Sequence, residues 1–334
     1  MKALVLAPFS DEGLDRLRKV VDAVAYEPWT ETAKLWDPNK LAERVRDEDI
    51  GVLIVEADFL LEPIFAVPNL KIAGACRNAP NQVDANAATK HGVPVLNAPG
   101  RNNVAVAELA IGLMFAVARR IPQADVYVSG AQWTNPLVDY ERFRGRELAG
   151  STIGVIGLGQ IGREVARRAA ALGAHVVGSD PFVTPEQAQE LGIRLLPLPD
   201  LLREADFITL HTVSTPETEK MIDGAALDLM KPGSYVISTG AGKAVDLDAL
   251  AERLRSGHIA GAGVDVFPGH LIATDHPLLG IENAILTPHM GGATRETVAR
   301  HSEMMVSDVE RFLRGEPLRY AINPEALSTA LHGR

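Results

Sequence analysis

Cysteine is almost missing: Cys76 is the single one in 334 residues. That excludes an intramolecular disulfide and a thiolate metal cluster, suits a reducing, cytoplasmic setting, and leaves Cys76 as a core residue. Basic charge is also short, with 33 Lys and Arg against 43 Asp and Glu and a formal net charge of −10. Nucleic acid and anionic membrane surfaces, which call for clustered cations, are therefore excluded as partners, and a small-molecule ligand is expected. Long apolar runs are absent too. The opening "MKALVLAPFSDEGL" soon meets Asp11 and Glu12, is too short for a signal or a span, and reads as a first strand. No fixed-period repeat or low-complexity tract occurs. The scattered acids Asp223, Glu219 and Asp275 lack ligand spacing, so no metal is expected.

What is present is apolar content of 46%, enough for two cored domains in a chain of this length. Short β-branched runs alternate with helical patterns, as in parallel sheets built from strand–helix–strand units. Ten strands are expected: "KALVLA", "DIGVLIV", "LKIAGAC", "VPVLN", "TIGVIG", "HVVGS", "DFITLH", "SYVIST", "IAGAGVDV" and "AILTPH". The pattern from Val104 to Val117 is apolar almost all round, which predicts a helix buried on every side. Residues 1–102 form one expected domain and 103–292 a second, with the last helix, "ATRETVARHSEMMVSDVERFLRG", returned to the first so that it takes 293–334.

"STIGVIGLGQIGREVARRAAALGAHVVGSD" then supplies a strand, Gly157, Gly159 and Gly162 in GxGxxG spacing, a helix, a second strand and Asp180 at its end. Gly157 permits the tight turn, Gly159 lets a pyrophosphate approach the backbone, and Gly162 lets helix and strand pack closely. The helix N-terminus offers unpaired N–H groups to the phosphates. Asp180 would bind the adenosine ribose hydroxyls and repel a 2′-phosphate, so the expected cofactor is NAD. The fold class expected is α/β: a Rossmann-type doubly wound parallel sheet plus a second, flavodoxin-like α/β domain formed from both chain ends.

Several long blocks in the same order, among them "VPVLNAPGRNNVAVAELAIGLM", "ELAGSTIGVIGLGQIGREVA", "IAGAGVDVF" and "HPLLGIENAILTPHMGGAT", resemble the D-2-hydroxyacid dehydrogenase family over nearly the whole chain. The resemblance implies a substrate domain made from both chain ends, a central NAD domain, and a homodimer through the Asn103–Val117 region. It also implies that His289 in "LTPHMGG" exchanges a proton with the substrate oxygen, work suited to a group titrating near neutrality. Further NAD contacts implied are Gln160 and Ile161 at the pyrophosphate, Thr239 and Gly240 beside the nicotinamide ribose, Asp265 at the carboxamide, and Gly292. His211 is implied as a backbone contact. For Asp265, capping a strand end is the alternative.

Three departures from the family pattern follow. The turn "STGAG" carries no charge: Ala241 stands where the family has a substrate-clamping arginine. His270 stands where the family has a glutamate, and two neighbouring imidazoles would share one proton rather than both charge. The family's glycine-rich substrate loop is "ACRNAPNQVD", with Asn78 and Ala79 in place of glycines and Arg77 added, most like the branch with a CRGGP-type loop. Arg77 is either a relocated anion clamp or a solvent-facing residue, and Lys243 is expected on the solvated start of a helix. Three readings stay open: an NAD-dependent oxidoreductase with an atypical substrate, a conventional 2-hydroxyacid dehydrogenase in which Arg77 or Lys243 replaces the arginine, and an NAD-binding sensor without turnover.

Overall fold

In a computed structural model describing residues 1–269 and 271–327, the chain divides into two units, Met1–Arg101 with Ala293–Arg334 and Asn102–Gly292. The first unit runs β1 (Lys2–Val5), α1 (Asp11–Val20), β2 (Ala23–Tyr26), α2 (Trp29–Thr32), α3 (Pro38–Asp47), β3 (Ile50–Val55), α4 (Glu62–Phe65), β4 (Ile72–Ala75), α5 (Ala85–Lys90) and β5 (Val95–Leu96). The second runs α6 (Asn103–Ala118), α7 (Ile121–Ser129), α8 (Pro136–Arg142), β6 (Thr152–Ile156), α9 (Gln160–Ala171), β7 (His175–Ser179), α10 (Pro185–Glu190), β8 (Arg194–Leu195), α11 (Leu198–Glu204), β9 (Phe207–Leu210), α12 (Gly224–Leu229), β10 (Ser234–Ser238), α13 (Leu247–Arg255), β11 (Ile259–Val264) and β12 (Ala284–Leu286). The last helix, α14 (Arg295–Leu313), belongs to the first unit.

Both sheets are parallel throughout, ordered β2-β1-β3-β4-β5 in the first unit and β12-β11-β10-β9-β6-β7-β8 in the second. The expected fold class is the one observed. Helices cover both faces, so central strands read as continuous apolar runs; all six residues of β3 and all five of β10 are buried. Helix starts follow local chemistry. Ser10 accepts from the Gly13 N–H ahead of α1, Asp37 accepts from Asn39 and Lys40 ahead of α3, and Thr294 accepts from Thr297 ahead of α14. α14 is tied to its unit by Met305, Val306 and Val309, which join the cluster of Val5, Leu14, Leu17 and Ile54.

All ten expected strands form, and among the described residues two more appear, β2 and β8. Both are short edge strands, and two residues of β8 give no alternation to read. The expectation that α6 is buried on every side does not hold for the single chain. One side packs on β10, β11 and α9, while Glu108 and Gly112 are exposed and Leu109 and Phe115 only half-buried. A single sheet can cover only part of a helix's circumference. Cys76 is in the core, and burial pushes its thiol pKa up. Among the described residues no helix is long and apolar enough to cross a membrane.

Candidate dinucleotide and catalytic site

The glycine-rich turn lies between β6 and α9. Gly157 has a φ of +88°, and a Cβ there would sit 2.9 Å from the carbonyl carbon and oxygen of His211, so both conformation and space require glycine. At Gly162 a Cβ would fall 1.9 Å from the Gly157 oxygen, which fixes how closely α9 lies against the strand end. Gly159 is different: a Cβ there would meet nothing within 4 Å. Its open side belongs to a cavity of about 1220 Å³ in the second unit, lined among others by Gly157, Gly159, Asp180, His211, Thr212 and Leu196. Gly159 is the N-cap of α9 and brings no capping side chain, so the first-turn N–H groups remain available to a phosphate. The residues present therefore fit a dinucleotide.

Asp180 closes the rim of this turn. Its Oδ2 accepts from the Leu158 N–H at 2.7 Å and its Oδ1 from the Phe182 N–H at 2.8 Å, leaving lone pairs for a ribose hydroxyl. Gln160 accepts from Asn103 Nδ2 at 2.9 Å, and Ile161 is half-buried against the apolar cluster of Val165 and Ala166. His211 directly follows β9, with Nε2 2.8 Å from Thr209 Oγ1 and Nδ1 3.4 Å from Thr239 Oγ1. Burial brings its pKa down to about 3, so this ring is a neutral structural group. Thr209, a partner the sequence reading had not singled out, precedes it by two residues and shares its face of the strand.

The turn after β10 backs onto the same strand end. Ala241 N–H donates to the Thr212 carbonyl at 3.2 Å, and a Cβ on Gly240 would lie 2.9 Å from the Leu210 oxygen. The Ala241 methyl joins the apolar cluster of Leu210 and Val264, which accounts for the lack of charge there. Lys243 is exposed and 3.6 Å from Glu219 Oε1.

His289 is exposed with a φ of +54°, a left-handed conformation uncommon outside glycine. Its N–H donates to the carbonyls of Asp265 (2.9 Å) and Thr287 (3.0 Å). The Asp265 carboxylate is buried and organises the loop: Thr287 Oγ1 donates to it at 2.6 Å, Met290 N–H at 2.9 Å and Gly291 N–H at 2.9 Å. Its visible work is the capping alternative. Thr287 lay within the quoted "LTPHMGG", so the signal for it was there. Gly292 sits beside Asn102 with ordinary van der Waals clearance. His270 lies outside the described residues.

Arg77, in the first unit, follows β4. Its Nε donates to the Glu56 carbonyl at 2.7 Å, and burial lowers its pKa. Among the described residues no group of three or more His, Cys, Asp or Glu could hold a metal ion.

Residues 111–291 match the NAD binding domain of the D-isomer specific 2-hydroxyacid dehydrogenases. Over 323 residues the chain is 38% identical to a D-3-phosphoglycerate dehydrogenase of Archaeoglobus fulgidus, covering 97% of this chain but only 59% of that relative. It is 36% identical to a glyoxylate reductase of Korarchaeum cryptofilum, covering 93% of each. In structure it is similar to the TT0316 protein of Thermus thermophilus, with a TM-score of 0.84, 34% identity and coverage of 96% of this chain and 100% of that one. With a matched cofactor domain and a relative aligned over 93% of both chains, this chain belongs to the D-isomer specific 2-hydroxyacid dehydrogenase family.

Proposed function

We propose that the protein is an NAD-dependent oxidoreductase acting on a hydroxy or keto substrate, with His289 as the proton donor in reduction and acceptor in oxidation. NAD, when bound, supplies the hydride chemistry. The residues that would hold it are the Gly157–Gly162 turn, Gln160, Ile161 and Asp180, with Thr239 and Gly240 beside the nicotinamide ribose. The observation that carries the acid–base role is the His289 loop. An exposed imidazole sits on a left-handed residue whose neighbours' hydrogen bonds converge on one buried carboxylate. A protein maintains such strain where a side chain must be presented in one orientation.

The substrate differs from that of an ordinary family member, because the turn carrying Ala241 provides no cation for an acid group. His270 stands in the sequence where the family's glutamate would raise the acid's pKa. We also read the open strip of α6, together with the exposed Ile121, Val126, Leu137 and Val138 of α7 and α8, as the seat of a second copy. The test is NADH oxidation with glyoxylate, hydroxypyruvate and larger 2-keto acids. His289→Ala should reduce turnover at least 100-fold while NADH affinity stays within about twofold of wild type. Wild-type turnover in that variant would end the proposal.

A further inference from the structure

β9 lies between β6 and β10, so the residues beyond it stand between the two turns read as the dinucleotide's seat, the glycine-rich turn after β6 and the Thr239–Gly240 turn after β10. His211 is the first of them, and its backbone meets both. Its N–H donates to the Ile156 carbonyl at 2.8 Å, and its own carbonyl takes the space a Gly157 Cβ would need. On the other side its Cα would lie 3.1 Å from a Cβ on Gly240. The register that sets Leu210 opposite Ser238 sets His211 opposite Thr239.

The side chain continues the connection, and the direction of its protons follows from burial. Thr209 is fully buried in the middle of the sheet. Among the described residues its hydroxyl has one hydrogen-bond partner, His211 Nε2 at 2.8 Å. A buried hydroxyl proton without an acceptor is costly, so Thr209 donates and Nε2 accepts. The imidazole proton is then on Nδ1. Nδ1–H donates to Thr239 Oγ1 at 3.4 Å, the longer link and the one a ligand can tighten. Thr239 Oγ1 accepts from the ring, and its own proton finds no acceptor among the described residues. Burial holds the His211 pKa at about 3, so the ring keeps this single proton throughout the neutral range.

We propose that His211 is a positioning residue: the one-way chain from Thr209 through His211 to Thr239 presents the Thr239 hydroxyl as a hydrogen-bond donor to an oxygen of the nicotinamide ribose. This rests on the dinucleotide reading of the two turns and not on the acid–base role of His289. Thr209 touches no ligand in this arrangement, yet it sets which partner donates at the far end. Without its hydroxyl the ring is free to carry its proton on Nε2. Nδ1 would then accept from Thr239, and the proton meant for the ribose would be used up inside the protein.

The test is calorimetric titration of NADH and of ADP, which lacks that ribose, into the full chain, with thermal melts to verify folding. Thr239→Val should weaken NADH about 3- to 10-fold and leave ADP within about twofold, while Thr239→Ser should restore NADH binding. Thr209→Val should weaken NADH by a similar factor with ADP again unchanged, and should add nothing in the Thr239→Val background. Nitrogen NMR of the wild-type ring should show the proton on Nδ1, unaltered from about pH 8 to about pH 5. A proton on Nε2, unchanged NADH affinity in a folded Thr209→Val, or additive losses in the double variant would each overturn the proposal. A wild type that binds neither NADH nor ADP would sink the dinucleotide reading and this chain with it. NADH binding that follows both threonines in a protein that reduces none of the keto acids would uphold the chain and sink the oxidoreductase reading by itself.

Discussion

Asp265 gives the sharpest test of how the proposed catalytic loop is built. Replacing it with alanine removes one acceptor from three donors: the Gly291 N–H, whose bond is fully buried, and Thr287 Oγ1 and the Met290 N–H, which are partly buried. A buried donor left without a partner costs about 1–3 kcal/mol, and each partly solvated one about 1 kcal/mol, so the total is about 3–5 kcal/mol. Asparagine is more informative. Its amide oxygen can keep the Oδ1 contacts to Thr287 and Met290, but its NH₂ group then faces the Gly291 N–H, donor against donor, at the 2.9 Å now spanned by a hydrogen bond. About 2–3 kcal/mol should be lost. Turnover should fall about 10- to 100-fold as His289 leaves its left-handed conformation, because a displacement on the order of 1 Å is enough. NADH affinity should change little. Urea unfolding followed by steady-state NADH oxidation measures both. If Asp265→Asn unfolds within about 0.5 kcal/mol of wild type and turns over equally, the loop is held by something else.

Gly162→Ala places a methyl 1.9 Å from the Gly157 oxygen, so the turn must open. Stability should drop by about 1–3 kcal/mol and NADH should bind at least ~tenfold more weakly in a fluorescence titration; unchanged affinity contradicts the close-packing argument. His301 predicts acid sensitivity. Its pKa drops from 6.5 to about 4 in the fold, so the unfolded chain takes the proton first as pH falls. The stability it contributes is complete above about pH 6.5 and is eroded between there and pH 4, by about 3 kcal/mol. His211 acts in the same direction, so His301→Asn should flatten the decline between pH 7 and 4.5 without removing it; an unaltered slope in urea unfolding refutes the assignment. Sedimentation equilibrium should give twice the 35.8 kDa chain mass, and Leu137→Arg should shift the population toward monomer. A wild-type monomer at micromolar concentration removes the α6–α8 reading.

Strands buried on both faces announce themselves as apolar runs, which is why "DIGVLIV" and "SYVIST" were legible and edge strand "AVAY", with Ala23 exposed and the rest half-buried, was not. The GxGxxG turn was legible because Gly157 and Gly162 answer local steric needs, while Gly159 keeps its side open. The neutral turn at Ala241 could be read as a missing charge, but its membership of the apolar cluster could not. The left-handed φ of His289 and the convergence on Asp265 depend on where two strand ends meet. No spacing rule joins His211 to Thr239, which only the pairing of β9 with β10 brings together.

Packing of α14 against α1 gives the chain an order of assembly during synthesis. The cluster of Val5, Leu14, Leu17 and Ile54 is completed by Met305, Val306 and Val309, and roughly 190 residues of the second unit separate the two groups. At ribosomal rates of about 5–20 residues per second, that interval is about 10–40 s. The second unit is contiguous and can close while the first still exposes an apolar face. The first unit therefore cannot complete its core until α14 has been made, and its apolar face stays uncovered by its own chain for that interval.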